Sequence, residues 1–449
     1  MPSSPELATL GRFVADHTLD DVPRDVVEIA RLDLLDTLGA RLAPSQLPEA
    51  AGLARWAATT STGAATIVGH RTTSESMLAA NVNGAYANWL EIDEGYHPSY
   101  GHPAIHVLPA ALALAESRGA TGRALLEALI AGYEVAARAG IACGFPERVH
   151  PHGTWGVLGA AAAAAKLLGH AADLTATTLD VACGLVSATA RELIPNAATV
   201  KYLWVGMANY HGMLAAQLAP LGFTGERRGL GTILGQNLYT ASDLGALVAG
   251  LSGRYAIADG YFKIHYACRY TAPSLEALDA VLASGPLDAD SIERVEVRTI
   301  YHGARLDNRE PKHLLAAKFS TPYALAAKLV TGTLGLTAFT PERLADPAIA
   351  GLMRRIHLIA DPEYTAQYPA TAPTSICVHL KDGQMREAYV TASRGDPDAP
   401  LDRADLEAKF HDVASPILGP ATHNVVDLTR AAESLRSLAD LSLALRGAP

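Results

Sequence analysis

The chain has 449 residues, 49% hydrophobic and 18% charged, with a formal net charge of -10 and a pI near 5.9. That composition is of a globular chain with a large core, and it lacks the basic stripe of a nucleic-acid binder. An acidic surface leaves an anionic ligand open, because the charge of the local pocket decides what binds.

The first residues, MPSSPELATLGRFVADHTL, lack a basic start followed by an apolar run, so no signal peptide is expected. The stretch AAAAAAKLLG is too short and too alanine-rich to span a bilayer, and no membrane partner is expected. The four cysteines, Cys143, Cys183, Cys268 and Cys377, form no CxxC pair; a reducing cytoplasm is the expected compartment.

Residues 1 to about 255 read as successive helices. Val26–Leu42 has helical apolar spacing, Thr121 is placed to cap Gly122–Ala137, and Gly156–Leu168 (GVLGAAAAAAKLL) is so poor in bulk that it reads as a central helix with close neighbours. Val205–Leu218 looks similar. Near residue 290 the period changes. Ser291–Ile300 alternates like a strand, Ser320–Leu334 is helical, and Thr374–Ala392 reads as a hairpin turning at Asp382-Gly383. Leu401–Phe410 and Val425–Leu445 return to helix. The predicted fold is mainly α with an α+β part: a helical domain over 1–258 and 404–449, interrupted by an α/β domain over 259–403.

Five segments could carry chemistry. In Leu90–Pro109, three acids (Glu91, Asp93, Glu94) precede His97, His102 and His106. Pro103 suits the first helical position, which puts His102 at the N-cap, where free N–H groups favour a bound carboxylate and a neutral imidazole base. A metal pair at His102 and His106, or a polar capping loop, are the alternatives. In Val149–Gly156, His150 and His152 precede a helix whose natural cap is Thr154. Lys201 sits among apolar residues in Asn196–Gly206 and must snorkel, pair, or face a cleft. In Gly260–Pro273, Lys263, His265, Cys268 and Arg269 alternate with aromatics at the predicted domain junction, where pockets form. Arg269 could take a carboxylate bidentately, and Cys268 fits a packed thiol better than a nucleophile. Tyr323 follows Pro322 at a helix start and could donate a proton or simply pack. No Walker loop, GxGxxG, GxSxG or HExxH occurs.

Several of these stretches together resemble the MmgE/PrpD family: LDLLDTLGA at Leu32–Ala40, HPAIHVLPAALALAE at His102–Glu116, GYEVAARAG at Gly132–Gly140, HPHGTWGVLGAAAAAAKLLG at His150–Gly169, KYLWVGMANYHG at Lys201–Gly212, FKIHYACRYTAPSLEAL at Phe262–Leu278 and AKFSTPYALA at Ala317–Ala326. The resemblance implies a helical domain built from both chain ends, an inserted lid, a cleft between them, a homodimer, and neither metal nor organic cofactor. It implies His102 and His150 as catalytic histidines, with Asp93 and Tyr323 beside them. Lys201 and Lys263 are implied as carboxylate binders; Arg269, His97, Thr154 and Cys268 are expected beside them as further substrate contacts. The family's DFDD element reads Glu91-Ile92-Asp93-Glu94 here, and Gly95 and Cys268 also depart from the pattern of characterised members. The implied activity is a hydro-lyase acting on a small di- or tricarboxylate. An epimerase and a decarboxylase are the alternatives within the family, and a catalytically inactive acid-binding protein is the alternative outside it.

Overall fold

The protein is described from a computed structural model covering residues 4–144, 148–193, 198–226, 228–239 and 242–447. It is mainly α with a small α/β part. Among the described residues, ten α-helices occupy the first 283 positions: α1 Pro5–Asp16, α2 Arg24–Leu42, α3 Pro48–Thr60, α4 Ser76–Ala87, α5 Pro103–Arg118, α6 Gly122–Cys143, α7 Gly156–Leu168, α8 Ala172–Cys183, α9 Val200–Leu218 and α10 Ala272–Ala283. A two-stranded ribbon, β1 Ala65–Thr66 with β2 Thr73–Ser74, interrupts the helical run that the sequence predicted as unbroken. Among the described residues no helix is long and apolar enough to cross a membrane.

The centre of the helical part is α7, as its composition foretold. Gly156–Ala165 are all buried, and α7 packs against α5, α6, α8 and α9. Small residues make this possible: a Cβ on Gly159 would lie 2.8 Å from the Gly132 carbonyl of α6. Helix α5 is buried from Pro103 to Ala115 despite an internal proline at 109. Pro109 has no N–H to give the Ile105 carbonyl, and the Asn209 side chain of α9 supplies one at 3.0 Å while accepting from Ala110 at 2.9 Å. Thr121 caps α6 as expected, accepting from the Ala124 N–H.

The sheet has the order β4-β3-β5-β6, with β3 Ile292–Thr299, β4 Ile356–Ala360, β5 Thr374–Leu380 and β6 Met385–Val390. β3 pairs parallel with β4 and antiparallel with β5, and β5–β6 is the hairpin around Asp382-Gly383. Val295 and Val297 of β3, with Ile376 and Val378 of β5, face α10 and the Thr321–Thr331 helix in a separate apolar core. The later helices Arg403–Leu418 and Ala421–Arg430 pack on α2.

The continuous helix expected over Val425–Leu445 is broken between Arg430 and Ala439. Ser437 accepts from the Ala439 N–H, and the Leu435 carbonyl accepts from Gly122 at the start of α6. The chain exchanges helical bonds for a dock on the body.

Candidate active site

Between the start of α5, the loop before α7 and the sheet-bearing part lies a cavity of about 220 Å³. His97, His102, His150 and His152 line it, with Arg191, Arg269 and Arg305, a set of tyrosines and one acid, Glu91.

The Leu90–Glu94 turn is built around buried charges. Glu91 holds a left-handed backbone (φ +58°), a costly conformation for a non-glycine residue, and its carboxylate bonds Lys201. Lys201 also donates to the Asn88 carbonyl at 3.4 Å. Lys263 donates to Asp93 Oδ1 at 3.2 Å and to the Glu91 carbonyl at 3.1 Å. Burial alone would raise the Asp93 carboxyl, but Lys263 and then His102 outweigh it and hold it well below the usual carboxylate range. Neither lysine lines the cavity. Lys201 and Lys263, expected from the sequence as substrate-carboxylate binders, pair here with Glu91 and Asp93 behind the cavity lining.

His102 stands at the N-cap of α5, but its ring does not cap the helix. Glu94 does: its Oε1 accepts from the Ala104 N–H at 2.5 Å. The helix N-terminus expected to favour a bound carboxylate is thus filled by a carboxyl of the chain. Burial, then the neighbouring Asp33, push Glu94 well above its ordinary value.

The hydrogen bonds assign tautomers to His102, His150 and His106. His102 Nδ1 donates to the Glu94 carbonyl and lies 3.0 Å from Asp93 Oδ2, so its Nε2 is the reactive nitrogen, a base when neutral. His150 Nδ1 accepts the His152 backbone N–H at 3.2 Å, so its Nε2 carries a hydrogen. Burial, then Lys201 and Arg191, push His150 well below the ordinary value and keep it neutral. His106 Nδ1 donates to the His102 carbonyl at 2.7 Å, and its Nε2 accepts from Gly153 at 3.3 Å. With both nitrogens used, His106 is a structural residue and no metal ligand. His152 differs. It is buried, it lines the cavity, and neither ring nitrogen has a partner among the described residues. Its ring meets those of His102 and His150 edge-on at 5.2 and 4.4 Å.

Arg269 crosses the floor of the site. One guanidinium nitrogen bonds Asp396, the group lies 4.4 Å over the Tyr261 ring, and Nη1 is buried without a partner among the described residues. Asp396 also takes His97 Nε2 at 2.9 Å. Cys268 lines the cavity as a thiol that burial pushes up to about 11, which makes it a poor nucleophile.

Two expected residues lie elsewhere. Tyr323 is buried in the core beneath the sheet, where its hydroxyl donates to the Ala338 carbonyl at 2.7 Å. Thr154 does not cap α7, which starts after Trp155. Its hydroxyl donates to the Pro151 carbonyl at 2.6 Å and lies 2.7 Å from the Tyr239 hydroxyl, outside the cavity lining.

The sequence reasoning missed Arg191, His302, Arg305 and Tyr368, which the cavity collects from three stretches of chain far apart in sequence. The only signal for them was a polar run, His302–Asn308, directly after a strand.

Among the described residues, two groups could hold a metal ion: Asp93, His102 and His152, and His265, Glu276 and Asp279. In the first, the His102 Nδ1 hydrogen already points at the Glu94 carbonyl beside Asp93. In the second, the Lys328 ammonium sits 2.5 Å from Asp279.

The MmgE/PrpD N-terminal domain profile matches residues 8–235, and the MmgE/PrpD C-terminal domain profile matches residues 265–431. Cis-aconitate decarboxylase of Mus musculus is 31% identical over 388 residues, 82% of this chain and 77% of the relative. The Homo sapiens enzyme of that name is 29% identical over 387 residues, 82% and 79% respectively. The Aspergillus terreus enzyme is 24% identical over 412 residues, 84% and 82%. The two profiles together account for most of the chain: this protein belongs to the MmgE/PrpD family.

Proposed function

We propose that this protein is a lyase that releases CO₂ from a small unsaturated polycarboxylic acid of the cis-aconitate kind, using its own histidines for proton transfer. One observation carries the reading: His102 and His150, with assigned tautomers, share a cavity with Arg269, whose buried Nη1 lacks a partner among the described residues. An unpaired buried guanidinium donor is costly, and a substrate carboxylate satisfies it.

In cis-aconitate the carboxymethyl group is allylic to a carbon–carbon double bond. The bond to CO₂ breaks, its electron pair forms a new double bond, and the old one shifts to bind a proton at its far carbon. His102 in its cationic form delivers that proton from Nε2, and Asp93 beside Nδ1 stabilises the cation. His150, neutral with hydrogen on Nε2, donates a hydrogen bond to the oxygens on which negative charge gathers. Arg269 holds a carboxylate.

The expected hydro-lyase moves to second place, because the curated relatives are decarboxylases. The same groups would run it, with neutral His102 taking a C–H proton. Proton NMR in D₂O with cis-aconitate, citrate, 2-methylcitrate and iminodisuccinate separates the readings. The expected outcome is one CO₂ per acid consumed and one deuterium bound to carbon. Water loss without CO₂ would reverse the order, exchange without net reaction would make the protein an epimerase, and no change in any acid would overturn the enzyme reading.

A further inference from the structure

Gly95 directly follows the acidic turn, and its backbone does not call for glycine, because its φ lies outside the left-handed region. Space calls for it. A Cβ at this position would lie 2.3 Å from the Tyr261 hydroxyl oxygen and 2.4 Å from Tyr261 Cζ, closer than side chains pack. The tyrosine is not free to step aside. Gly95 and Tyr261 exchange two backbone hydrogen bonds, at 3.0 and 2.8 Å, which lock the residues side by side. The Arg269 guanidinium lies 4.4 Å over the ring, and the His97 ring leans on it at 4.5 Å.

So placed, Tyr261 is buried yet lines the cavity, and its hydroxyl has no hydrogen-bond partner among the described residues. Buried tyrosines away from the cavity behave otherwise: the hydroxyls of Tyr86, Tyr133 and Tyr323 each donate to an oxygen of the chain. Burial pushes the Tyr261 hydroxyl well above its ordinary value, against the pull of Arg269, so it keeps its hydrogen and is available as a donor. The same ring meets His102 edge-on at 6.2 Å. Tyr261 therefore stands between the histidine that moves a proton and the arginine that holds a carboxylate.

We propose that Tyr261 is a substrate-binding residue whose phenolic O–H donates to a carboxylate oxygen of the acid held between Arg269 and His102, and that Gly95 makes room for it. The inference rests on the carboxylate-acid reading of the same cavity and adds a neutral donor beside the cationic one. A side chain at position 95 and a hydroxyl at position 261 exclude each other, so this pair sets the shape of the cavity beside the catalytic turn.

Isothermal titration with propane-1,2,3-tricarboxylate, a saturated and unreactive acid, tests it. Tyr261→Phe removes one oxygen and keeps the ring beneath Arg269. It should weaken binding about tenfold or more while leaving the denaturation midpoint unchanged. Unchanged affinity in this variant would overturn the contact, as would a wild-type protein that does not bind the acid. A loss of stability without a loss of affinity would make the hydroxyl structural and overturn it too. Gly95→Ala should weaken binding and lower the midpoint, and in a Tyr261→Ala protein it should lower the midpoint little further, because the ring it strikes is gone. Equal falls in both backgrounds would overturn the role of Gly95. Tyr261→Phe carries the test if Gly95→Ala does not fold. The titration needs no turnover. A protein inert toward every acid in the NMR panel whose binding still depends on the hydroxyl would keep the contact and lose the lyase reading; turnover in the panel with Tyr261→Phe binding like the wild type would do the reverse.

Discussion

At the residue scale, the hydrogen bonds on each ring separate histidines that look equivalent in sequence. His102 and His150 each have one nitrogen fixed by the backbone and one left for substrate, whereas His106 has none to spare. His102→Gln and His150→Gln should each lower turnover by about 10²–10⁴-fold, read by steady-state kinetics. Tyr323→Phe should leave turnover within about twofold and cost about 1 kcal/mol of stability, the worth of its bond to Ala338. A large loss of turnover there would restore the catalytic role that the resemblance implied. His106 also makes a pH prediction. Burial pushes it down to about 4, against about 6.5 in an unfolded chain. Between those values the unfolded state binds the extra proton, so stability falls as pH drops from 6.5 to 4. The His106→Gln variant should lose that part of the slope, about 3 kcal/mol over the window, in denaturant titrations run beside the wild type.

At the element scale, composition was informative wherever packing is local. An alanine run with two glycines announces a helix whose neighbours come close, and α7 is that helix. The hairpin at Asp382-Gly383 was legible because the turn needs a positive φ, and Gly383 has +85°. What was not legible depended on distant partners. The cap of α5 comes from Glu94, eight residues before His102, because the loop folds back on the helix. The breaks after Arg430 come from a dock onto α6 that no periodicity records. The close packing can be tested at Gly159. A Cβ there would stand 2.6 Å from the Ala136 Cβ and 2.8 Å from the Gly132 carbonyl, closer than either can yield. Gly159→Ala should cost about 1–3 kcal/mol in chemical denaturation, despite alanine's better helix propensity. A gain in stability would show that α6 and α7 separate easily.

At the scale of the whole molecule, the buried lysines connect the parts that frame the cavity. Sequence alone left Lys201 the choices of snorkelling, pairing or facing a cleft, and no local pattern decides among them. The partners are more than a hundred residues away: Glu91 for Lys201 and Asp93 for Lys263. Lys263 therefore fastens the segment leading into the sheet-bearing part onto the acidic turn beside His102. Removing one member of such a pair leaves the other charge buried and uncompensated. Lys263→Met should destabilise the protein by about 3–5 kcal/mol and lower kcat, because an Asp93 without its cation no longer keeps the same poise beside His102. Asp93→Asn should also be costly. The double variant should recover a large part of the stability lost by either single change, because both buried charges are gone, but none of the turnover, because His102 still lacks its carboxylate. A lysine that only gripped substrate would behave otherwise: Lys263→Met would raise KM at unchanged stability, and the double variant would show additive losses. Denaturant curves and steady-state kinetics on the four proteins decide between a lysine that holds the catalytic turn and one that holds the acid.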